Sequence, residues 1–408
     1  MAIAAVPRYL GNDFSSASPG MRFGYYLRLW GEDERSHEPL WGIADQIYRE
    51  RGPNRVMRQL PQENKVSALK AATTLNPNDS KLMQQLGARQ QALAVGLDPA
   101  ICLTLAAQSV APFTTGLGNE HPLENGFAFL NPYGLPYLPG SGVKGVLRQA
   151  ARELISGEWG EGEGWDEAAI EVLFGRESED GDTDHQRGVI SFWDVIPQIA
   201  GQRLQVEMMT PHSSHYYQQR DAAGSKTPHD SGQPNPISFL SVPPGSGFTF
   251  HLVCHRERLQ RLAPHLLEQW QPLMTAACYH AFDWLGFGAK GSVGYGAMRL
   301  DAKKQAAQQA QQLAKMSPEQ QQIAAWQAQF DAVKEQPFKP GSEFDQQRWE
   351  MLNAVQSWQQ SDDCAAALAL FEAIFTWSGK PSKPRKGRED RRPLYKSTLE
   401  QLRQRAGL

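Results

Sequence analysis

The chain has 408 residues, 40% hydrophobic and 21% charged, with 41 Lys or Arg against 44 Asp or Glu and a formal net charge of −3. Such a composition is that of a globular protein of two or three domains; the near-balance of charge excludes a polycation, so any nucleic-acid contact must come from local basic surface. Four scattered cysteines without a CxxC pair exclude a zinc ribbon or disulfide framework, and no apolar run reaches the ~20 residues of a membrane helix. Residues 1–6 are too short an apolar run for a secretory signal, and the cytoplasm is the expected compartment.

Residues 1–100 read as an N-terminal extension of short helices and loops. Within it, Asn76-Pro77-Asn78-Asp79-Ser80 marks a turn that starts a helix. Residues 101–300 read as the core. A strand-like region runs from 101 to 115, and 116–140 are loop-rich. Ser141 then caps a helix whose apolar stripe is Val143, Leu147, Ala150 and Leu154. Residues 157–184 are acidic and Gly-rich and read as a surface excursion. Residues 189–195 form a strand, 207–236 an irregular insertion, and 237–242 with 248–254 a hairpin across Pro243-Pro244-Gly245-Ser246-Gly247. A helix over about 263–285 turns Leu266, Trp270, Leu273, Ala277, Ala281 and Trp284 to one face, and 293–300 is the last strand. The order β–α–β–β–α–β predicts an α+β, ferredoxin-like unit with an antiparallel sheet and helices on one face. Beyond it, 301–379 read as a helical appendage opened by one Gln/Ala-rich helix over 304–328. Residues 380–408 read as a basic tail, with ten cations from Lys380 to Arg405.

Three segments could carry chemistry. Gly286-Phe287-Gly288-Ala289-Lys290-Gly291-Ser292-Val293-Gly294-Tyr295-Gly296 places five glycines and a lysine between a helix and a strand. Gly286, Gly288 and Gly291 spell G-x-G-x-x-G, but a dinucleotide fingerprint must follow a strand and open a helix, and here the order is reversed. Either a phosphate-contacting loop or a ligand-free tight turn satisfies the pattern. Gly140, Ser141, Lys144, Arg148 and Arg152 open the first core helix with three cations at i, i+4 and i+8. That spacing fits a phosphate seat at a helix N-terminus, or a solvated basic face. Met209, His212, His215, Tyr216 and Tyr217 lie in the insertion. The histidines could act as an acid/base pair, while the aromatics suit stacking on unpaired bases, at about 1–3 kcal/mol per base. No acids or thiols cluster with these histidines to complete a metal set, so neither metal nor cofactor is expected. Asp194 reads as a turn anchor and His121 as a weaker candidate base.

Tyr137-Leu138-Pro139-Gly140-Ser141-Gly142-Val143-Lys144-Gly145-Val146-Leu147-Arg148 resembles the helix opening of the RAMP superfamily of CRISPR-associated proteins, and 286–296 resembles that family's closing glycine-rich loop. Phe192-Trp193-Asp194 stands where the family has an aromatic-Asp strand. Met209-Thr210-Pro211-His212, Tyr216-Tyr217 and Pro236-Ile237-Ser238-Phe239-Leu240 narrow the likeness to the sixth-subunit branch of the type III-B Cmr effector. The resemblance covers roughly 100–300. It implies a ferredoxin-like, RRM-like fold whose loops hold guide RNA toward its 3′ end, beside other RAMP backbone subunits and a small helical subunit facing target RNA. In such assemblies base pairing reads sequence and protein grips phosphates. Carried over, Ser141, Lys144 and Arg148 would seat phosphates, with Gly286, Gly288, Lys290, Gly291 and Gly294 forming the closing loop. His212, Tyr216 and Tyr217 would lie on a thumb-like loop interrupting the duplex. Cleavage in these complexes is assigned to another subunit, so this chain is expected to be no enzyme. The competing expectation is an endoribonuclease that trims precursor guide RNA, with His121 or His212 as general base; a nucleotide-binding enzyme using the glycine loop is a third.

Overall fold

The computed structural model describes residues 3–32, 36, 38–43, 48–51, 56–59, 63–157, 164–177, 186–210, 236–381 and 390–407. Two units divide the chain, residues 1–305 and 306–408. His212, His215, Tyr216 and Tyr217 lie outside the described residues.

The N-terminal hundred residues contain more sheet than the sequence pattern implies. Strands β1 (Ile3–Ala4), β2 (Arg28–Glu32) and β3 (Pro39–Ile43) form an antiparallel sheet, with α1 (Pro19–Gly24) between the first two. A hairpin of β4 (Tyr48–Arg51) and β5 (Val56–Gln59) follows. Then come α2 (Glu63–Thr73) and α3 (Pro77–Val95). The start of α3 is as expected: Asn76 and Asp79 exchange side-chain-to-backbone bonds in a capping box, with Pro77 in the first turn. Buried Arg22 on α1 donates to the carbonyls of Ala71 and Thr74 at the end of α2, tying these helices together.

The central sheet joins β6 (Cys102–Ser109), β9 (Ile190–Phe192), β12 (Gly247–Cys254) and β13 (Met298–Leu300), in the order β13-β6-β12-β9 and antiparallel throughout. The short hairpin β7 (Phe129–Leu130) and β8 (Leu135–Pro136) lies between the first two in sequence. With α4 (Gly140–Ile155) after β6, and α6 (Arg256–Leu262) and α7 (Trp270–His280) after β12, this is the ferredoxin-like order. Alternation along β12 sends Phe248, Phe250, Leu252 and Cys254 into the core, against the α4 stripe Val143, Leu147, Ala150 and Leu154 and against Trp270, Met274 and Ala277 of α7.

Several expectations are corrected. The excursion 157–184 contains α5 (Glu167–Phe174), whose Ala169, Ile170, Leu173 and Phe174 are buried in the main core. Residues 237–242 do not pair with 248–254: β11 (Ile237–Ser241) pairs with β10 (Gln205–Met209) in a separate two-stranded sheet. The long helix expected over 263–285 is broken; α7 ends at His280 and passes into a wide turn over 281–285, closed by the Gly286 amide on the Ala281 carbonyl at 2.8 Å. A π-type turn holds an extra residue and rotates the side chains beyond it, so Trp284 leaves the apolar stripe and is 64% exposed.

The Gln/Ala-rich run forms two helices, α8 (Ala302–Lys315), which begins in the first unit, and α9 (Pro318–Asp331) in the second, because Ser317 caps a new helix with Gln320 and Pro318 follows it. Helices α10 (Glu343–Ala354), α11 (Ser361–Ser378) and α12 (Arg392–Ala406) complete a bundle around Trp326, Trp349, Phe371 and Phe375. Leu399 and Leu402 join that core, so part of the basic tail is a docked helix.

One buried polar tie crosses the central sheet. His251 of β12 is 2% exposed and its Nδ1 lies 3.0 Å from Thr104 Oγ1 on β6. Burial, with the nearby Lys304 charge, pushes the imidazole down to about 4 from 6.5. The folded value lies below the unfolded one, so the unfolded chain binds the extra proton between these limits. The stabilisation is whole above about pH 6.5 and is lost as pH falls toward 4. His251→Gln should therefore flatten the acid side of the stability curve by on the order of 3 kcal/mol, read as denaturant midpoints at neutral pH and near pH 4.5; an unchanged curve would refute this.

Candidate nucleic-acid interface

The glycine loop is a knot of backbone on backbone. A Cβ at Gly288 would strike the Thr114 carbonyl, one at Gly296 the Phe287 carbonyl, and one at Gly286 would lie 2.5 Å from the Tyr295 carbonyl. Close approach is therefore made to the protein's own chain. The bonds agree: Ala289 N–H donates to Thr114 O (2.8 Å), Gly296 N–H to Pro112 O (2.8 Å) and Phe287 N–H to Gly296 O (3.0 Å). The amides of Gly288, Gly291 and Ser292 take no part in these bonds among the described residues. Gly288, Ser292, Val293 and Gly294 form the loop's exposed surface.

This knot fixes Lys290. It adopts a left-handed backbone (φ 65°), unusual for a residue with a Cβ. Its Nζ stands 3.0 Å from Met209 Sδ at the end of β10 and 5.1 Å above the Phe239 ring of β11. Neither a thioether nor a ring face neutralises the ammonium, and no carboxylate pairs with it among the described residues. The neighbouring Glu207 is engaged elsewhere: burial and this carboxylate together raise the Tyr295 phenol. Met209 and Lys290, far apart in sequence, are thus brought together where β10 ends and β11 begins.

The start of α4 departs from the expected phosphate seat. The helix begins at Gly140 rather than Ser141, with Pro139 at the cap. Asp194 Oδ1 accepts the Gly140 N–H at 2.7 Å, so an anion arriving there meets a fixed carboxylate at the positive helix end. Ser141 is exposed. Arg148 is largely committed too: one nitrogen donates to the Gly175 carbonyl at the end of α5 and another lies 3.3 Å from Glu177 Oε1, while Glu177 Oε2 holds Arg152 at 2.6 Å. Lys144 has no acidic partner among the described residues; burial and the charges of Arg148 and Arg187 lower its affinity for a proton. No hydrogen bond, ion pair or ring contact among the described residues joins this group to Lys290.

His121 is a structural residue. Its Nδ1 accepts the Leu123 N–H at 3.1 Å, which leaves Nε2 to donate to the Phe23 carbonyl at 2.9 Å. The ring stacks on Phe23 at 3.8 Å, and burial lowers its pKa. With both nitrogens occupied it has no site from which to take a substrate proton. No group of three or more metal-ligating side chains occurs among the described residues. The sequence pattern passed over Arg187, Arg256, Arg258 and Arg261, which line one cavity; the signal was the run His255-Arg256-Glu257-Arg258 directly after a strand.

If the glycines serve chain-on-chain approach, Gly288→Ala should destabilise by at least ~3 kcal/mol, since a backbone carbonyl fills the space. Gly294→Ala, which meets nothing within 4 Å, should lose only the about 1–2 kcal/mol of its left-handed backbone. Equal losses in urea denaturation would contradict the assignment.

Residues 107–299 match the family model of the RAMP superfamily, as the helix opening and glycine loop imply. The chain is 29% identical over 228 residues to the CRISPR system Cmr subunit Cmr6 of Pyrococcus furiosus, covering 44% of this chain and 63% of that protein. It therefore spans less than two thirds of the length of the curated relative it matches. Among solved structures it is similar to a chain of the type III-B Cmr-beta complex bound to cognate target RNA, at 20% identity and TM-score 0.36, over 58% of this chain and 70% of that one. The crystal structure of Cmr6 from Pyrococcus furiosus matches at 22% identity and TM-score 0.29, over 50% of this chain and 99% of that one.

Proposed function

We propose that this chain is a non-catalytic RNA-binding subunit of a type III-B CRISPR RNA-guided effector complex. It holds guide RNA, toward the 3′ end, and the guide–target duplex through backbone phosphates. Its partners are guide RNA, target RNA, other RAMP backbone subunits and a small helical subunit. The superfamily match supports this reading, because residues 107–299 contain both the glycine loop and the cationic face of α4. The observation that carries it is Lys290. A rigid loop projects an ammonium without a carboxylate partner beside exposed backbone at Gly288 and Ser292, an arrangement suited to a phosphate and indifferent to base identity.

Roles within the site follow from the contacts. Lys144 and Lys290 are the phosphate ligands, each a point charge. Arg148 positions α5 against α4 rather than holding RNA. Met209 stands at the root of the segment that would carry His212, His215, Tyr216 and Tyr217 onto the nucleic acid.

Fluorescence anisotropy with a single-stranded RNA of guide length tests the reading. Lys290→Ala and Lys144→Ala should each weaken binding and lower the slope of log K against log salt by about 0.7, one released counterion per phosphate on a single strand. Arg148→Ala should instead lower the melting temperature with little change in slope. Unchanged slopes in both lysine variants would overturn the assignment. The endoribonuclease alternative has lost His121 as its base but keeps His212. Incubating the chain with repeat-containing RNA in the absence of divalent metal should leave the RNA intact; cleavage abolished by His212→Ala would establish the alternative.

A further inference from the structure

A cavity of about 580 Å³ opens where β12 ends and β6 and β9 begin, lined by Arg187, Arg256, Arg258 and Arg261, with Glu257 as the acid in its lining and Ile101 and Cys254 as apolar wall. The central sheet separates it from the glycine loop. The register places Val253 opposite Cys102 at this end and Gly247 opposite Gln108 at the other, about 20 Å away at the rise of a strand.

These arginines are weakly engaged. Arg256 Nη2 reaches Glu268 at 3.4 Å, but Glu268 is 86% exposed, so the pair is a solvated one of small worth. Arg261 uses Nε on the Glu257 carbonyl at 3.3 Å, which leaves its two terminal nitrogens. Arg187 and Arg258 have no acidic partner among the described residues. Among the described residues no Phe, Tyr or Trp lines the cavity, so it offers guanidinium forks without a broad platform for a base. Planar forks match the paired oxygens of phosphate and of carboxylate groups, and continuity with the cationic face of α4 is what favours a phosphate backbone.

The cavity also continues the cationic face of α4. Lys144 and Arg148 are one turn apart on the same side of that helix. Arg148 binds the Gly175 carbonyl, Gly175 bridges Arg187 across an isolated β-bridge, and Arg187 lines the cavity. From this continuity we infer that the cavity is a second RNA station, gripping one or two phosphodiesters of a single strand that runs on from Lys144 along the outside of β9. The inference rests on the proposed RNA-binding role and adds to it a second point of contact along one path.

The test uses the full chain and a fluorescein-labelled uridine 20-mer, titrated between about 50 and 300 mM KCl. Arg258→Gln/Arg261→Gln should lower the salt slope by about 1.4, two contacts on a single strand, and should do so equally in wild-type and Lys290→Ala backgrounds. Glu257→Gln should raise affinity. A slope unchanged in the double variant, with its melting temperature that of wild type, would overturn the station while leaving the Lys290 site intact. Displacement of the RNA by poly-glutamate in wild type but not in the double variant, with that slope unchanged, would assign the cavity to an acidic protein partner instead. Failure of the wild-type chain to bind the RNA would remove the functional reading itself.

Discussion

Two stretches of backbone, 112–115 and 286–296, approach closely at Gly288, and the geometry of the glycine loop depends on that approach. Residues with a Cβ at Gly288 or Gly296 would collide with the carbonyls of Thr114 or Phe287. The resulting bonds, Ala289 to Thr114 and Gly296 to Pro112, fasten the loop to the segment that follows β6. Phe287 is driven into the core against Phe250 and Phe282. A loop so anchored has few backbone states left. It can therefore hold Lys290 in a left-handed conformation that an unconstrained lysine would avoid. Order in the site comes from packing below it, and the charge is displayed on top.

The electrostatics divide by what each cation already touches. Arg148 and Arg152 share Glu177, and Arg22 serves the carbonyls at the end of α2. Arg148, on the Gly175 carbonyl, and Arg22 close helix ends, where carbonyls lack partners within the helix. Lys144 and Lys290 contact a carboxylate nowhere among the described residues. Ammonium groups in a partly desolvated setting gain most from an arriving phosphate, because no existing ion pair must be broken first. The carboxylate of Asp194 at the start of α4 works in the opposite direction, stabilising the helix and repelling an anion at its amides.

The N-terminal hundred residues and the core unit are fastened together near this site. Leu204 N–H donates to Thr73 O and Leu75 N–H to Gln202 O, so the end of α2 runs beside the approach to β10. The hairpin β10–β11 thereby has a support on one side and Lys290 on the other. A segment leaving that hairpin starts from a fixed root.

Periodicity is a local property, and the features that depend on it were legible in the residues alone. The α4 stripe at helical spacing, the alternation along β12, the Asn76 capping signal and the order of core elements all arise from neighbours within a few positions. The glycine loop was legible as a place where backbone must come close, though not as to which backbone. Choice of partner required the tertiary structure. Pro243-Pro244-Gly245-Ser246-Gly247 satisfies a hairpin turn, yet β11 pairs with β10 because their inward faces meet the main core, through Leu240 and Val206. Trp284 lies on the expected stripe until one wide turn rotates it into solvent. Arg148 looks like a phosphate ligand until Glu177 and Gly175, brought in by α5, occupy it. Four arginines distributed between residues 187 and 261 share a cavity because antiparallel pairing sets the start of β9 beside the end of β12. Spacing along the chain determines helices and strands; long-range closure determines which charges remain without a partner.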